Sequence, residues 1–352
     1  MQAPVVLFSV LDWGLGHATR SIPLINALCK QGYRVVLAGE GRSGLLLRQE
    51  FPNIGYEEIK GFQVQYPSSN MTLWAIRNYP QMLLALRKEK AITAHLVEKY
   101  RPDIIISDHR YGFYHPKVTS VFIGHQLRIQ AGWLSSLVFR YHTSLLKKFD
   151  KIFCPDLKEL PGLSGELGHH CSVLKSFNPV FIGPLSRLSD EVTVAPEIKY
   201  DVMVMISGPE PLRSRLEEKC INQLINHEGK VILLKGTPEE KEIKRFGNIT
   251  IAPNLPPREI KGLLESTPVI ICRPGYSTIM DLYITGRNAI LIPTQGQTEQ
   301  EYLAKLHTGN GSLTAEEVSM NLPVLIKHFQ PQFRETKSND LPVFLQEICH
   351  ST

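Results

Sequence analysis

The chain has 352 residues, 43% of them hydrophobic and 21% charged, with a formal charge of +5. That length fits about two domains of ordinary globular composition, and no apolar run approaches the roughly 20 residues needed to span a bilayer. The six cysteines lie far apart without a CxxC pair, which excludes a zinc or disulfide framework, and the mild positive charge suits anionic nucleotides or lipid headgroups without indicating nucleic acid.

Met1-Gln2-Ala3-Pro4 enters a predicted strand at Val5–Val10 with no basic region or cleavage signal, so a cytoplasmic location is expected. The turn Gly14-Leu15-Gly16-His17 follows, then a helix over Ala18–Gln31. Further strands are predicted at Arg34–Ala38, Asp103–Ser107, Ser120–Ile123, Lys151–Cys154 and Val180–Ile182, with helices over Leu73–Lys99 and part of 130–149. Short apolar runs separated by helices favour a parallel sheet covered on both faces. Gly183-Pro184 and Ala195-Pro196 punctuate a polar stretch, so 186–199 reads as a linker after a first domain of 1–185.

The pattern restarts in a second domain over 200–330. Its strands are predicted at Asp201–Ile206, Lys230–Leu234, Ile249–Ala252, Val269–Cys272 and Ala289–Ile292. Helices are predicted at Leu212–Asn226, Arg258–Glu265, Thr278–Thr285, Gln300–Leu306 and Ala315–Phe329. In the tail, 331–352, Leu341, Phe344, Leu345 and Ile348 have helical spacing suited to packing back on the first domain. The expected fold class is α/β: two doubly wound parallel-sheet domains facing each other across a cleft.

Three loops of the second domain sit at predicted strand ends, where open α/β sheets bind ligands. In Arg273-Pro274-Gly275-Tyr276-Ser277-Thr278, Gly275 allows close backbone approach, while Ser277 and Thr278 can cap the helix and donate to phosphate. Asp281, one turn on, can accept hydrogen bonds from vicinal ribose hydroxyls. Gln295-Gly296-Gln297-Thr298-Glu299-Gln300 offers amides and acids suited to sugar hydroxyls, and Ser207-Gly208 adds N–H donors for a diphosphate. Taken singly, such a loop is a turn with a helix cap; three in one domain indicate a nucleotide site.

In the first domain, His17 follows Gly14 and Gly16 at a strand end. Its imidazole is suited to accept a proton at neutral pH, to bond a phosphate, or to cap the helix. Asp108, within Ser107-Asp108-His109-Arg110-Tyr111, is the base itself, a group orienting His17 or His109, or part of a solvated loop. His125-Gln126 ends the next strand similarly, and His169-His170 reads as a surface loop. Two basic, aromatic stretches, Met71–Lys88 and Trp133–Phe149, suit either contact with an anionic membrane or core packing.

The run from Arg273 to Asp281, followed by Ile292-Pro293-Thr294-Gln295-Gly296-Gln297-Thr298-Glu299-Gln300-Glu301-Tyr302, resembles the donor half of GT-B fold glycosyltransferases. Within that fold it resembles family 28, the MurG-like UDP-N-acetylglucosamine transferases. Gly14-Leu15-Gly16-His17 resembles that family's glycine-rich loop and Gly124-His125-Gln126 its acceptor-side motif. The resemblance implies a UDP-sugar donor, hexose or N-acetylhexosamine, with Asp281 at the ribose, Ser207 and Gly208 at the diphosphate, Gln300 at the sugar and Arg187 facing phosphate. It also implies a lipid-linked or glycan acceptor and contact with the inner face of the membrane. The chain departs from the family in having Asp281 where Glu is usual, a shorter loop after Ser207, and no glutamate after His125.

Inverting transfer needs a base at the acceptor hydroxyl and stabilisation of the leaving diphosphate, which a helix end and an arginine supply without metal. No DxD or His/Cys cluster argues for a bound ion, so no cofactor is expected. The reading is a metal-independent inverting glycosyltransferase with His17 or Asp108 as base. The alternatives are a UDP-sugar hydrolase, an epimerase, or a non-catalytic nucleotide-sugar sensor.

Overall fold

The computed structural model describes residues 3–60, 71–129, 135–189, 191–334 and 341–349. The chain divides into two compact units: residues 1–185 with 339–352, and residues 186–338.

The strands of the first unit are β1 (Val5–Val10), β2 (Arg34–Gly39), β3 (Gly55–Glu58), β4 (Ile104–Asp108), β5 (Thr119–Ile123), β6 (Lys151–Cys154) and β7 (Val180–Phe181). All pair in parallel, in the order β3-β2-β1-β4-β5-β6-β7. Helices α1 (Leu15–Lys30), α2 (Gly41–Glu50), α3 (Met71–Tyr100), α4 (Ser135–Leu146), α5 (Glu166–His169) and α6 (Cys171–Phe177) connect them. Residues of β1 and β4 are buried almost without interruption, which is why these strands read as continuous apolar runs. The chain leaves β1 toward β2 on one side, while β4 lies on the other. The carboxyl ends of β1 and β4 therefore flank the point where strand order reverses.

The second unit repeats this plan with β8 (Val202–Met205), β9 (Val231–Leu234), β10 (Lys244–Phe246), β11 (Ile249–Ala252), β12 (Val269–Cys272), β13 (Ile290–Leu291) and β14 (Leu313–Thr314). Its order is β10-β11-β9-β8-β12-β13-β14, with only β10 antiparallel, so β8 and β12 flank the reversal point. The helices are α7 (Leu212–Leu224), α8 (Pro257–Ser266), α9 (Tyr276–Ile284), α10 (Thr298–Thr308) and α11 (Leu322–His328). Its core joins Val202, Val204, Val231, Leu233 and Ile271 of the sheet to Leu216, Cys220 and Leu224 of α7. All six cysteines are free thiols, and Cys154, Cys220 and Cys272 are buried.

The tail forms α12 (Leu341–Cys349) within the first unit. Phe344 is fully buried, with its ring 5.6 Å from that of Phe153. Lys151 also donates to Glu347 at 2.7 Å, but that pair is part-exposed and contributes little, so the buried Phe344 and Ile348 hold the tail.

Several elements differ from expectation. Residues 186–199 do not run free as a linker but lie with the second unit, where Lys261 donates to the Glu191 carbonyl at 2.7 Å and Thr193 to Glu265 at 2.7 Å. The helix expected over 315–329 begins only at Leu322. Carbonyls of Glu317 and Met320 accept from Lys219 and Gln223 of α7, which replace the helical ladder, and Asn321 caps the shortened helix. His169 is not at the surface: it is buried, 3.2 Å from the Asp156 carboxylate and stacked on Phe181. In the second basic stretch, Leu146 and Phe149 belong to the core, while Lys147 and Lys148 remain exposed. Trp133 and Leu134 lie outside the described residues, as do the side chains of Met71–Ile76. Among the described residues, no helix is long and apolar enough to cross a membrane.

Candidate active site

At the reversal point of the first unit, the turn after β1 ends at Gly14, the N-cap of α1, and the first turns of that helix carry His17 and Arg20. Asp108 closes β4 opposite Val10 in register, and His125 follows β5. The segments meet on the Asp108 carboxylate, which is 0% exposed. Arg20 donates to both of its oxygens, with the Nε contact at 2.7 Å, and Ser21 donates to Oδ2 at 3.1 Å. His17 Nδ1 lies 2.7 Å from Oδ1. Arg20 also donates to His125 Nδ1 at 3.1 Å.

Burial alone would raise the Asp108 carboxyl, but the Arg20 guanidinium and the His17 ring hold it well below the usual carboxylate range. It is therefore ionised at neutral pH and only accepts hydrogen bonds. Arg20 Nη2 also lies 2.9 Å from His17 Nδ1, but that amino group already donates to Oδ1. An ionised carboxylate cannot donate, so the 2.7 Å contact places the proton on Nδ1 and leaves Nε2 as the basic nitrogen. Burial and the Arg20 charge lower the His17 pKa, while Asp108 opposes them, so the ring is neutral at pH 7. His17 is 17% exposed and Asp108 fully enclosed, which makes His17 the member of the pair that can meet a substrate.

His109 adopts φ +61°, lies with its ring 5.3 Å from that of His17, and has its Nδ1 buried without a partner. Burial and the neighbouring His17 and Arg20 charges push its pKa well down. Ligand atoms of His17, Asp108 and His109 come within 4.8 Å of one another, a spacing that a metal ion can bridge. Arg20 already occupies both Asp108 oxygens and supplies the positive charge an ion would bring, so these residues fit a cation poorly. Gly16 and Gln126 are part-exposed beside this cluster in sequence, and His125 is buried within it.

At the reversal point of the second unit, Ser207-Gly208 follows β8, Arg273-Pro274-Gly275 follows β12, and 293–297 follows β13. Gly208 has φ +107°, a conformation that disfavours any side chain, and a Cβ there would approach Arg273 Nη1 at 3.5 Å. Gly275 is the N-cap of α9 without a side-chain cap, so the first N–H groups of that helix have no capping side chain; Ser277 and Thr278 are part-exposed beside them. Asp281 accepts from Ser186 at 2.5 Å. Burial pushes its carboxyl up to about 6, against the pull of the Ser186 hydroxyl and the Arg187 charge.

Three expected donor residues are placed otherwise. Arg273 is 0% exposed, and its Nη2 donates to the Leu212 carbonyl at 2.7 Å and to Glu317 at 3.2 Å, bracing the start of α7 from beneath. Tyr276 is buried in the core. Gln300 is also buried, and its amide oxygen accepts from the Thr294 N–H at 2.8 Å, so it shapes the loop from within. Glu301 does the same for Gly296 at 2.7 Å, which leaves Gln295 and Thr298 exposed and Gln297 and Glu299 part-exposed. Arg20 and Ser186 take up these contacts although no sequence motif assigns them a role. Three-residue spacing from His17 on one helix was the available signal for Arg20; none marked Ser186.

Comparison with known proteins gives the same two halves. Residues 5–119 match the family model described as glycosyl transferase family 1, and residues 213–321 match the glycosyltransferase family 28 C-terminal domain. A UDP-N-acetylglucosamine–N-acetylmuramyl-(pentapeptide) pyrophosphoryl-undecaprenol N-acetylglucosamine transferase of Caulobacter vibrioides is 24% identical over 308 residues, covering 83% of this chain and 79% of that protein. The same-named transferase of Desulforudis audaxviator is 40% identical over 82 residues, only 23% of this chain and 21% of its own length. Among solved structures, the glycotransferase of kitacinnamycin superposes with TM-score 0.62 at 15% identity, covering 94% and 91% of the two chains. Acinetobacter baumannii MurG superposes with TM-score 0.54 at 14% identity, covering 93% and 90%.

Proposed function

We propose that this chain, which has the GT-B fold and matches glycosyltransferase family models over residues 5–119 and 213–321, transfers a hexose or N-acetylhexosamine from a UDP-sugar to a lipid-linked or glycan acceptor with inversion and without metal. The observation that carries this reading is the buried Arg20–Asp108–His17 array, which fixes one neutral imidazole nitrogen as a base. His17 Nε2 takes the proton of the acceptor hydroxyl as its oxygen bonds to the anomeric carbon, and the bond to the leaving UDP breaks. The diphosphate charge is met by main-chain N–H groups of Gly208 and of the α9 start, together with Arg187. The exposed amide of Gln295 and the part-exposed amide of Gln297 face the sugar hydroxyls.

The test is UDP release with and without acceptor. Release that requires an acceptor and persists in a chelator supports the proposal. Release of free sugar without acceptor makes the protein a hydrolase instead.

Asp281 gives a separate pH signature. Ribose hydroxyls donate to the ionised carboxylate, whose pKa in the free protein is raised to about 6. Binding favours the charged form, so UDP affinity should fall as pH drops through 6 and level off above it. Calorimetry of UDP between pH 5 and 7.5 checks this. Asp281→Ala should flatten the profile and weaken binding by about 1–3 kcal/mol.

Contact with an anionic membrane belongs to the same proposal. Exposed Arg87 and Lys88 lie near exposed Tyr79 and Leu84 on α3, and Arg140 and Lys147 are exposed on or just beyond α4. Cosedimentation with anionic vesicles should weaken as salt rises; no binding at low salt would remove this part.

A further inference from the structure

Behind the Asp108 turn lies a buried ion pair that the chemistry above does not use. Arg110 is two residues beyond Asp108 and fully buried. Its Nε donates to Glu89 of α3 at 2.6 Å, while Nη1 and Nη2 reach the carbonyls of Val10 and Ile59, each at 3.3 Å. One guanidinium thus ties α3 to the end of β1 and to the residue following β3. The second Glu89 oxygen accepts from the Gly112 N–H at 2.7 Å, so both oxygens hold the turn 107–112. Ser107 closes the same turn, donating to the Arg110 carbonyl at 2.6 Å and accepting its N–H at 3.1 Å. Helix and turn pack so closely at Gly112 that a Cβ would meet Glu89 Oε2 at 2.6 Å and the Leu86 carbonyl at 2.9 Å.

This clamp holds the backbone on both sides of the proton-accepting pair. Val10, whose carbonyl Arg110 grips, is the register partner of Asp108, and the next residue, Leu11, donates its N–H to the Asp108 carbonyl at 3.1 Å. His109, between Asp108 and Arg110, sits at φ +61°, a conformation that costs energy and persists only where its surroundings impose it. A lone buried ion pair is a poor source of net stability, because desolvation offsets the attraction, but it fixes geometry well.

We infer that Glu89 and Arg110 are positioning residues: α3 acts through them to hold Asp108 at bonding distance from His17. The inference rests on His17 being the base. Glu89→Gln puts an amide N–H where two donors now converge on oxygens, and Arg110→Lys replaces the guanidinium's three separate contacts with one point charge. Either change should lower kcat roughly ten- to a hundredfold by misplacing the pair, with the KM for donor near wild type. A second readout separates positioning from general damage. Asp108 supports the basicity of His17, so a looser pair should move the acid limb of the kcat profile to lower pH. UDP affinity by calorimetry, carried by the second unit, should not move.

Should Glu89→Gln fail to fold, Gly112→Ala keeps both charged groups but drives a methyl against Glu89 and the Leu86 carbonyl, displacing α3 from the turn, and the same paired shift in kcat and acid limb is expected. Wild-type kcat and an unmoved limb in folded Glu89→Gln or Gly112→Ala, while His17→Ala is inactive, would overturn the inference. Full turnover in His17→Ala would overturn the underlying assignment of the base, and this inference with it.

Discussion

His17→Ala is expected to lower turnover by about two to four orders of magnitude, the usual contribution of a positioned general base. UDP affinity should stay within a few-fold of wild type, because His17 belongs to the first unit and the loops carrying Gly208, Gly275 and Asp281 to the second. The physical reason is the fixed tautomer. With Asp108 ionised 2.7 Å from Nδ1, the ring needs no reorganisation to present Nε2 as an acceptor. Steady-state kcat with saturating donor, beside calorimetry of UDP, checks both halves. Turnover within tenfold of wild type would remove His17 from the mechanism.

Asp108→Asn should damage both activity and stability. An amide cannot fix the His17 tautomer as a carboxylate does, and the comparable loss is about 10⁴-fold. It also leaves Arg20, 3% exposed, as an uncompensated buried cation, which costs about 3–5 kcal/mol. A large fall in the denaturation midpoint should therefore accompany the loss of turnover, whereas His17→Ala should lose turnover with a much smaller change in midpoint. The pH dependence of stability follows from the same groups. The folded pKa of Asp108 lies below its unfolded value, so its contribution is present above about pH 4 and is lost only in stronger acid. His17, His109 and His142 have folded pKa values lowered chiefly by burial, with that of His142 down to about 4. The unfolded chain then binds more protons below about pH 6.5, so stability should decline from there toward pH 5. Thermal melts across that range check the sign.

The central strands were legible because a parallel sheet covered on both faces needs uninterrupted apolar runs, and Val5–Val10, Lys151–Cys154, Ile249–Ala252 and Val269–Cys272 were read at their observed bounds. Edge strands β3, β10 and β14 were not. Gly55–Glu58 and Lys244–Phe246 are short and polar or exposed, so their pairing is imposed by neighbouring strands and leaves no periodic trace. The helix ending at Phe329 was overextended for a related reason: α7 side chains take carbonyls that local propensity would have assigned to a ladder.

By itself the sequence determined the inner strands of two α/β halves and which loops follow them, because glycine turns and helix starts after apolar runs are local features. It marked His17, Asp108 and His125 as candidates and offered Asp108 as a partner of His17 or His109 without choosing between them. Only the tertiary structure decided that Asp108 is enclosed and His17 is the nitrogen left for a proton, since that follows from Arg20 reaching a strand end 88 residues away. In the same way it turned Arg273 and Gln300 inward as braces and brought Ser186 to Asp281. Burial and partnership are set by contacts between distant segments, and a local pattern of residue types carries no record of them.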